Sequence, residues 1–412
     1  CIIKIRSPDI RRLRFRQYPR GKDGSHMSRK KSLALTLLGI LPVFALAQSV
    51  QAINPALQSL SEYYADIPYS VVLLLSSIVS LVVIPVSSAS GALAGRKVSY
   101  RALSITAMAC VLAGGVLPYW VMANFPLTLI CRMVVGVGIG IASPLSSALI
   151  MKLLPPEKQA LWQGVGTAVM NLCGVFYQSV SGVVCLRDVR YIWLVYGFVL
   201  IPLILVLFFL QEPASAPAAA SSGKKGALPA GAVLTCLGFG LLYLFLSPVL
   251  LNISSILVNE GIGSSATAGT ILSAYSVGGM AAGFIFGGVY KLLGRWTIPV
   301  SLLLQVLGLA GCAFGRNVAL IGVSTVLFGV AVHWIWPACI MEFSRLPDGK
   351  GALASGLFIS ALNLGTFLGS PLIGLVETVT GNADPRLPVI VGFFRTAIVA
   401  AVWIAAKLRE KA

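Results

Sequence analysis

Long apolar runs separated by short polar or charged breaks dominate the sequence from residue 33 to residue 406. Each run has roughly the 20 residues that an α-helix needs to cross the hydrocarbon core of a bilayer. The pattern therefore predicts an all-α membrane protein with twelve transmembrane helices. The predicted spans are 33–54, 69–93, 102–122, 127–151, 162–185, 191–211, 230–257, 267–293, 297–314, 318–341, 352–375 and 388–406.

A polar break in the middle of the chain divides the spans into two sets of six. Residues 212–229 are rich in Ala, Ser and Pro, which is typical of a flexible linker. We therefore expect six-helix bundles at residues 28–211 and 230–412. Residues 1–27 precede the first bundle and end in Gly24-Ser25-His26-Met27, which looks like a cleavage scar from an expression vector.

The two sets of spans are also related in sequence at a constant offset of 192 residues. Leu154-Pro155, Gly164 and Asn171-Leu172 recur as Leu346-Pro347, Gly356 and Asn363-Leu364. A chance match would not hold one offset across several features, so we expect two pseudo-symmetric bundles. Such parallel repeats place a solute path between the bundles, near the middle of the membrane.

The net charge of +18 would suggest nucleic-acid binding in a soluble protein, but only 11% of the residues are charged and 57% are hydrophobic. Most basic residues lie in the N-terminal tail and in alternate short loops, although Arg187, Arg190, Arg316 and Arg386 lie in the opposite loops. This bias indicates that both termini are cytoplasmic. The eight cysteines show no CxxC pair, so packing rather than a metal or cofactor site is expected. The first apolar run could pass for a signal peptide, but the spans that follow favour a retained helix.

The loop after the second span carries a recognisable motif. Gly91-Ala92-Leu93-Ala94-Gly95-Arg96-Lys97-Val98-Ser99-Tyr100-Arg101 resembles the cytoplasmic loop signature of the major facilitator superfamily. Arg132-Met133-Val134-Val135-Gly136-Val137-Gly138-Ile139-Gly140 likewise resembles the signature of that family's fourth helix. The resemblance covers nearly the whole chain from residue 28 and implies the family's fold, with two six-helix bundles that rock about a central site.

The same resemblance implies a gating role for Gly91, Arg96 and Arg101, because in the family the small residue lets helices approach and the basic residues latch the cytoplasmic side. Gly95 stands where the family usually has Asp. The usual Asp-mediated latch is therefore in question.

Three potentially basic groups fall inside predicted spans, whereas no acidic residue falls near the middle of one. Arg132 is a candidate for binding an anionic solute or for proton coupling, although it could instead reach the outer interface. His333 is the first candidate for proton coupling, and a histidine packed neutral between helices is the alternative. Arg395 lies in the twelfth span, where structural pairing or snorkelling is expected.

Uncharged polar side chains also cluster on spans that line the path in this family. Since such groups need partners in hydrocarbon, each could bind solute or bond a neighbouring helix. With Arg132, the candidate solute-binding residues are Gln51, Asn54, Asn171, Tyr177, Gln178, Asn252, Tyr275, Trp336 and Asn363.

These residues predict a secondary transporter of a bacterial inner membrane that moves a small organic anion or polar metabolite by alternating access, coupled to protons. Neither an enzyme activity nor a cofactor is expected. Its expected partners are the solute, protons and the lipid bilayer, without nucleic acid, and a monomer is expected. Efflux of amphipathic drugs is one alternative. A non-transporting receptor or a lipid-handling protein on the same fold is the other.

Overall fold

The computed structural model of the protein describes residues 25–213, 228–343, 346 and 350–409. The tag-like segment up to residue 24 and most of the predicted linker, residues 214–227, lie outside these residues. The described chain forms twelve membrane-spanning helices, of which the first is bent. We number them α1 (Leu33–Phe44 with Ser49–Tyr63), α2 (Leu74–Leu93), α3 (Tyr100–Val121), α4 (Phe125–Leu153), α5 (Pro156–Cys185), α6 (Val189–Phe209), α7 (Ala230–Asn259), α8 (Ser265–Leu293), α9 (Thr297–Phe314), α10 (Val318–Phe343), α11 (Lys350–Thr380) and α12 (Leu387–Arg409).

Helix α1 differs most from its predicted span, because it continues nine residues farther, to Tyr63, and bends by 43° on the way. The bend follows Pro42, and the chain resumes as a 3-10 helix over Ser49–Ala56 that contains Pro55. Proline has no N–H to donate and its ring clashes with the preceding turn, so two prolines within one span break its regular hydrogen bonding. The bend directs polar residues of α1 towards α5.

The hydrophobic side chains form two clusters that follow the halves of the sequence. One cluster is built from residues between Leu37 and Leu210, joined by Leu251 and Ile373 of the second half. The other is built from residues between Ala232 and Ala400. We call α1–α6 the N half and α7–α12 the C half, and each half packs around its own apolar centre.

Close packing of α4 against α2 depends on the glycines of the fourth-helix motif. A Cβ atom on Gly136 would lie 2.9 Å from Val82 Cβ, and one on Gly140 would lie 2.8 Å from Val86 Cβ. Small residues allow helix backbones to approach closely in lipid, where dispersion rather than the hydrophobic effect drives helix association. The motif thus has a direct packing role in the N half.

The two ends of the helix bundle differ in charge. We call the end that carries Arg96, Lys152 and Lys291 the basic face, and the end that carries Asp188 and Glu260 the opposite face. Helices α2, α4, α8 and α10 end at the basic face, whereas α5, α7 and α11 end at the opposite face.

The halves meet along two seams, α5 with α8 and α2 with α11. In the first seam the Ser179 and Ser273 hydroxyls lie 2.8 Å apart, and Ser265 donates to Gly182 O at 3.2 Å. In the second, Ser370 donates to Ser77 Oγ at 2.7 Å. All these residues lie in the parts of their helices nearer the opposite face.

The contacts described between the halves lie mainly away from the basic face. The hydrogen bonds given above between the halves all lie nearer the opposite face, and added Cβ atoms on Gly164, Gly288 and Gly356, which are nearer the basic face, would meet nothing within 4 Å. The seam on α8, from Ser265 to Ser276, spans about 16 Å of a helix with a rise of about 1.5 Å per residue. The halves are therefore joined over the opposite-face part of the bundle, and we interpret this arrangement as open towards the basic face.

A buried arginine organises the opposite-face end of the C half. Arg386 is 3% exposed and binds both carboxylate oxygens of Glu260, and its remaining donors reach Ala313 O at 2.9 Å and Gly315 O at 2.7 Å. Those carbonyls end α9, where the negative end of the helix dipole favours a cation. The hydrogen bonds from Arg386, followed by its positive charge, hold the pKa of Glu260 below its ordinary value despite partial burial.

This pair predicts a pH-dependent contribution to stability. A carboxylate whose pKa is lowered by folding stabilises the folded state above its unfolded pKa, near 4.5, and loses that contribution as the pH falls through the folded value. Glu260→Gln should therefore lower the free energy of unfolding by about 2 kcal/mol at pH 7. The difference from the wild type should shrink as the pH falls below the unfolded pKa, as measured by denaturant unfolding in detergent.

Arg316→Gln is the matched control. Arg316 also contacts Glu260, at 3.1 Å, but its side chain is 75% exposed. Such exposed pairs contribute about 0–1 kcal/mol. A Glu260→Gln effect no larger than that of Arg316→Gln would contradict the organising role of the buried pair.

Candidate functional site

A chain of hydrogen-bonded side-chain amides crosses the boundary between the halves. Gln48 Nε2 donates to Asn171 Oδ1 at 3.5 Å, and Gln51 Nε2 donates to Gln48 Oε1 at 2.6 Å. Gln178 Nε2 donates to Gln51 Oε1 at 2.6 Å, and Ser276 Oγ of the C half donates to Gln178 Oε1 at 3.2 Å. We call these five residues the amide chain. It links α1 and α5 with α8.

The amide chain retains unused hydrogen-bonding capacity. A primary amide has two N–H donors and a carbonyl oxygen with two lone pairs, and each link uses one donor and one acceptor. Asn171 and Gln178 are fully buried, whereas Gln51 is half-buried. The chain can thus offer donors and acceptors to hydroxyl or amide groups, with Gln51 as its most accessible member.

The C half contributes aromatic and imidazole groups from α8 and α10. The His333 ring packs over Gly279, where an added Cβ would lie within 2.7 Å of three ring atoms, and its centroid is 5.4 Å from that of Tyr275. His333 Nδ1 is 2.8 Å from Gly329 O. In the neutral ring Nδ1 therefore carries the proton, which leaves Nε2 as an acceptor.

Trp336 and Trp334 separate on α10, as their helical spacing predicts. Trp334 is buried and donates to Ala282 O on α8, whereas Trp336 is 39% exposed and lies 6.0 Å from the Phe358 ring on α11. Helices α8 and α11 are the two C-half helices that border the N half in the seams. His333 thus packs against α8, and Trp336 lies near α11.

The repeat-related asparagines adopt the same local bond. Asn171 Nδ2 donates to Thr167 O at 3.0 Å, and Asn363 Nδ2 donates to Ile359 O at 2.9 Å. Asn171 belongs to the amide chain and is buried, whereas Asn363 is half-buried. The pseudo-symmetry therefore preserves the bond within each helix, while the surroundings of the two amides differ.

Arg132 lies inside the N half, where it is fully buried. Its Nε donates to Leu75 O at 2.7 Å, and its two terminal nitrogens donate to Tyr196 Oη at 2.6 Å and to Val50 O at 3.1 Å. Tyr196 in turn donates to Ser49 O at 2.8 Å. These bonds join α1, α2, α4 and α6 and offset the cost of a guanidinium in hydrocarbon.

Tyr177 lies beside this arginine cluster rather than in the amide chain. Its ring centroid is 6.2 Å from that of Tyr196, and the residue is 4% exposed. Since three Arg132 donors are bonded to the protein and the side chain is inaccessible, the guanidinium is not presented to a solute in this conformation.

Asn252 and Asn54 lie nearer the opposite face. Asn252 accepts from Tyr69 at 2.9 Å and donates to Pro385 O at 2.8 Å. Tyr69 Oη is also 2.6 Å from Ser255 Oγ, so it connects the N half to α7. Asn54 accepts from Ser76 at 2.6 Å, within the N half. The structure therefore places these two asparagines in helix contacts outside the amide chain.

The hydrogen bonds of the α2–α3 region given for the described residues stay next to the N half. Arg96 is exposed, and Arg101 donates to Leu207 O at 2.5 Å. The nearest atom to a Cβ added on Gly91 would be Pro144 Cβ, 4.0 Å away. Glu212 accepts bonds from the backbone N–H groups of Tyr100 and Arg101 at 2.7 and 2.8 Å, so it supplies a carboxylate at the start of α3.

Gly95 has a φ of +70°, and a Cβ there would lie 2.5 Å from the Tyr100 ring. This turn therefore requires a glycine at the position where the family usually has aspartate. The loop conformation accounts for the departure from the family pattern.

Several contributors were not singled out from the sequence, namely Tyr69, Tyr196, Glu212 and Ser276. Tyr196 and Ser276 lie within apolar or small-residue runs where they resemble packing residues. The serine-rich and glycine-rich composition of α8 is a signal that could have pointed to close contact in that region. Among the described residues, no group of three or more His, Cys, Asp or Glu side chains could hold a metal ion.

Three solved structures with a similar fold are all transport proteins. A D-xylose–proton symporter has a TM-score of 0.70 at 16% identity, covering 91% of this chain and 96% of that one. A nucleoside transporter has a TM-score of 0.70 at 13% identity, covering 91% and 99%. A bacterial homolog of the human lysosomal transporter Spinster, in an inward-facing and occupied conformation, has a TM-score of 0.68 at 16% identity, covering 94% and 98%.

The sequence comparisons identify the family. No curated protein sequence matches the chain significantly. The sequence profile of the Major Facilitator Superfamily matches residues 39–258, which is more than half of the chain. Together with the twelve spans and the two seams between the halves, this match shows that the chain belongs to the Major Facilitator Superfamily.

Proposed function

We propose that this protein is a secondary transporter that moves a small, neutral, polar solute by alternating access. The amide chain carries the proposal, because it places hydrogen-bonding amides at the boundary between two bundles that are open on one side and closed on the other. Neutral amides match hydroxyl, carbonyl and amide groups of a solute without the desolvation cost of a charge.

The sequence analysis predicts either an organic anion or a polar metabolite as the solute. The contacts of Arg132 favour a neutral polar metabolite. The Arg132 guanidinium is buried and bonded within the N half, and Arg395 is the other arginine that lies away from the ends of a described span. Sugar and nucleoside, the solutes in the names of two similar structures, are rich in groups of this kind. At these identities the likeness shows the fold, so the solute class rests on the amide chain.

The open side of the structure would face the cytoplasm if the basic loops follow the positive-inside rule. The protein would then be an inner-membrane transporter with cytoplasmic termini, acting as a monomer. His333 would link solute movement to protons, since its half-buried imidazole packs against Gly279 of α8, the C-half helix of the α5–α8 seam, and its Nε2 is free to accept a proton in the neutral form.

Loss of an amide in the chain should weaken solute binding. Gln178→Leu removes the bonds to Gln51 and Ser276 and should raise the apparent Kd for a transported solute by about tenfold, since a hydrogen bond contributes about 1 kcal/mol or somewhat more. The solute would first be found in a thermal-shift screen, because a ligand that binds only the folded state raises its stability.

Gln163→Leu is the matched control on the same helix. Gln163 donates to Ser147 at 2.9 Å within the N half and lies outside the amide chain. Equal loss of solute affinity in both variants, or an unchanged Kd in Gln178→Leu, would contradict the proposed solute site.

Alternating access requires the α5–α8 seam to separate. In a background without native cysteines, Ser179→Cys combined with Ser273→Cys should form a disulfide, because the two hydroxyl oxygens are 2.8 Å apart. Oxidation should abolish solute uptake into proteoliposomes, and reduction should restore it. Each single cysteine variant serves as a control, and full transport by the cross-linked protein would contradict the proposed rocking of the halves.

Proton coupling through His333 can be separated from solute binding. His333→Gln should abolish accumulation driven by a pH gradient while leaving solute counterflow within about twofold of the wild type. A variant that still accumulates solute under the gradient would exclude His333 from coupling. A receptor on this fold would show binding without either activity.

A further inference from the structure

Arg395 is an arginine on the outer surface of a membrane span. It lies in α12, whose buried residues Gly392, Thr396 and Ala400 face the rest of the C half. Ile398 and Val402, three and seven residues farther along the helix, are 59% and 64% exposed and share the stripe of Arg395. The guanidinium is therefore attached to the lipid-facing side of the helix.

The protein supplies an aromatic ring to this arginine but no counter-ion. The guanidinium carbon lies 5.5 Å from the ring centroid of Phe245 on α7. No salt bridge between described residues involves Arg395. A cation–π contact contributes roughly 0.5–2 kcal/mol, which is less than the several kcal/mol that a charge in hydrocarbon costs.

The position of Arg395 along α12 determines which membrane surface it can reach. It lies eight residues, or about 12 Å of helix, from Leu387 at the opposite face. It lies ten residues, or about 15 Å of helix, from Ala405 towards the basic face. Helical side chains also tilt towards the N-terminus of their helix, here the opposite face. A Cβ added on Gly392, one turn nearer that face, would contact Phe245 O, so α7 and α12 pack closely beside Arg395.

We propose that Arg395 and Phe245 form a binding site for an anionic phospholipid in the leaflet on the opposite face. The guanidinium would bind the headgroup phosphate, with which its planar donors can form two parallel hydrogen bonds. The acyl chains would lie on the exposed apolar surface of α12 and α7, which includes Phe394, Ile398 and Leu241. The occupant is assigned by charge complementarity, and the leaflet by the tilt of the Arg395 side chain towards the opposite face.

Native mass spectrometry of the purified full-length protein with added phosphatidylglycerol tests this site. Arg395→Gln should weaken phosphatidylglycerol binding by about fivefold, the factor that corresponds to roughly 1 kcal/mol for one basic side chain at an anionic membrane surface. Arg395→Lys, which keeps the charge but not the planar donors, should bind with intermediate affinity. Wild-type protein should bind phosphatidylcholine more weakly than phosphatidylglycerol.

Arg190→Gln is the matched control, because Arg190 also stacks on an aromatic ring, that of Tyr63 at 5.9 Å, but lies at the opposite-face end of α6 instead of within a span. It should weaken phosphatidylglycerol binding less than Arg395→Gln does, since it removes only a surface charge. Equal binding by wild type, Arg395→Gln and Arg395→Lys would overturn the proposal. So would equal affinity for the two lipids, or a change of oligomeric state in Arg395→Gln, which would assign the surface to a second copy of the chain.

Discussion

Hydrocarbon provides no hydrogen-bond partners, so every polar side chain inside the spans depends on the protein for its bonds. Arg132 meets this constraint entirely within the N half, through Leu75 O, Val50 O and Tyr196. The cluster also fixes the bent α1 against its neighbours, because Tyr196 donates to Ser49 O within the 3-10 stretch. Prolines bend α1, and the Arg132 cluster holds the bent segment that carries Gln48 and Gln51 against its neighbours.

The same constraint gives the boundary between the halves its distinctive chemistry. Serines and glycines along α5 and α8 satisfy one another through short, neutral bonds, such as Ser179 with Ser273. Neutral bonds of this kind contribute modestly to stability, which suits contacts that must break and form again. The permanent ion pair of Arg386 with Glu260 lies instead within the C half, where no rearrangement between halves is needed. Strong polar contacts thus stabilise each half, and weaker ones join them.

The amide chain connects contacts within the N half to contacts between the halves. Gln178 bonds to Gln51 within the N half and accepts from Ser276 across the boundary, so a solute that competes for either bond would also perturb the α5–α8 seam. Binding energy can shift a conformational equilibrium only through such differential contacts. The bond between Gln178 and Ser276 is therefore the point at which occupancy of the proposed site and closure of the opposite face are physically linked.

The sequence alone was sufficient to predict the architecture. The spans follow from local hydropathy, and the two halves follow from an internal repeat at an offset of 192 residues. Both can be read directly from the order of the residues. It also identified Gln51, Asn171 and Gln178 as polar residues in need of partners. It could not distinguish solute binding from helix contacts, since Asn252 and Arg132 carry the same polar signal as the amide chain.

Only the tertiary structure decided which polar groups meet. The bend of α1 brings Gln48 and Gln51 to α5, and the approach of α8 places Ser276 beside Gln178. Glu212, beyond the last span of the N half, reaches the start of α3 across more than 100 residues of sequence. Such pairings depend on helix rotation, depth and curvature, which hydropathy leaves free. The sequence determined that this protein spans the membrane twelve times, and packing determined which of its polar side chains face one another.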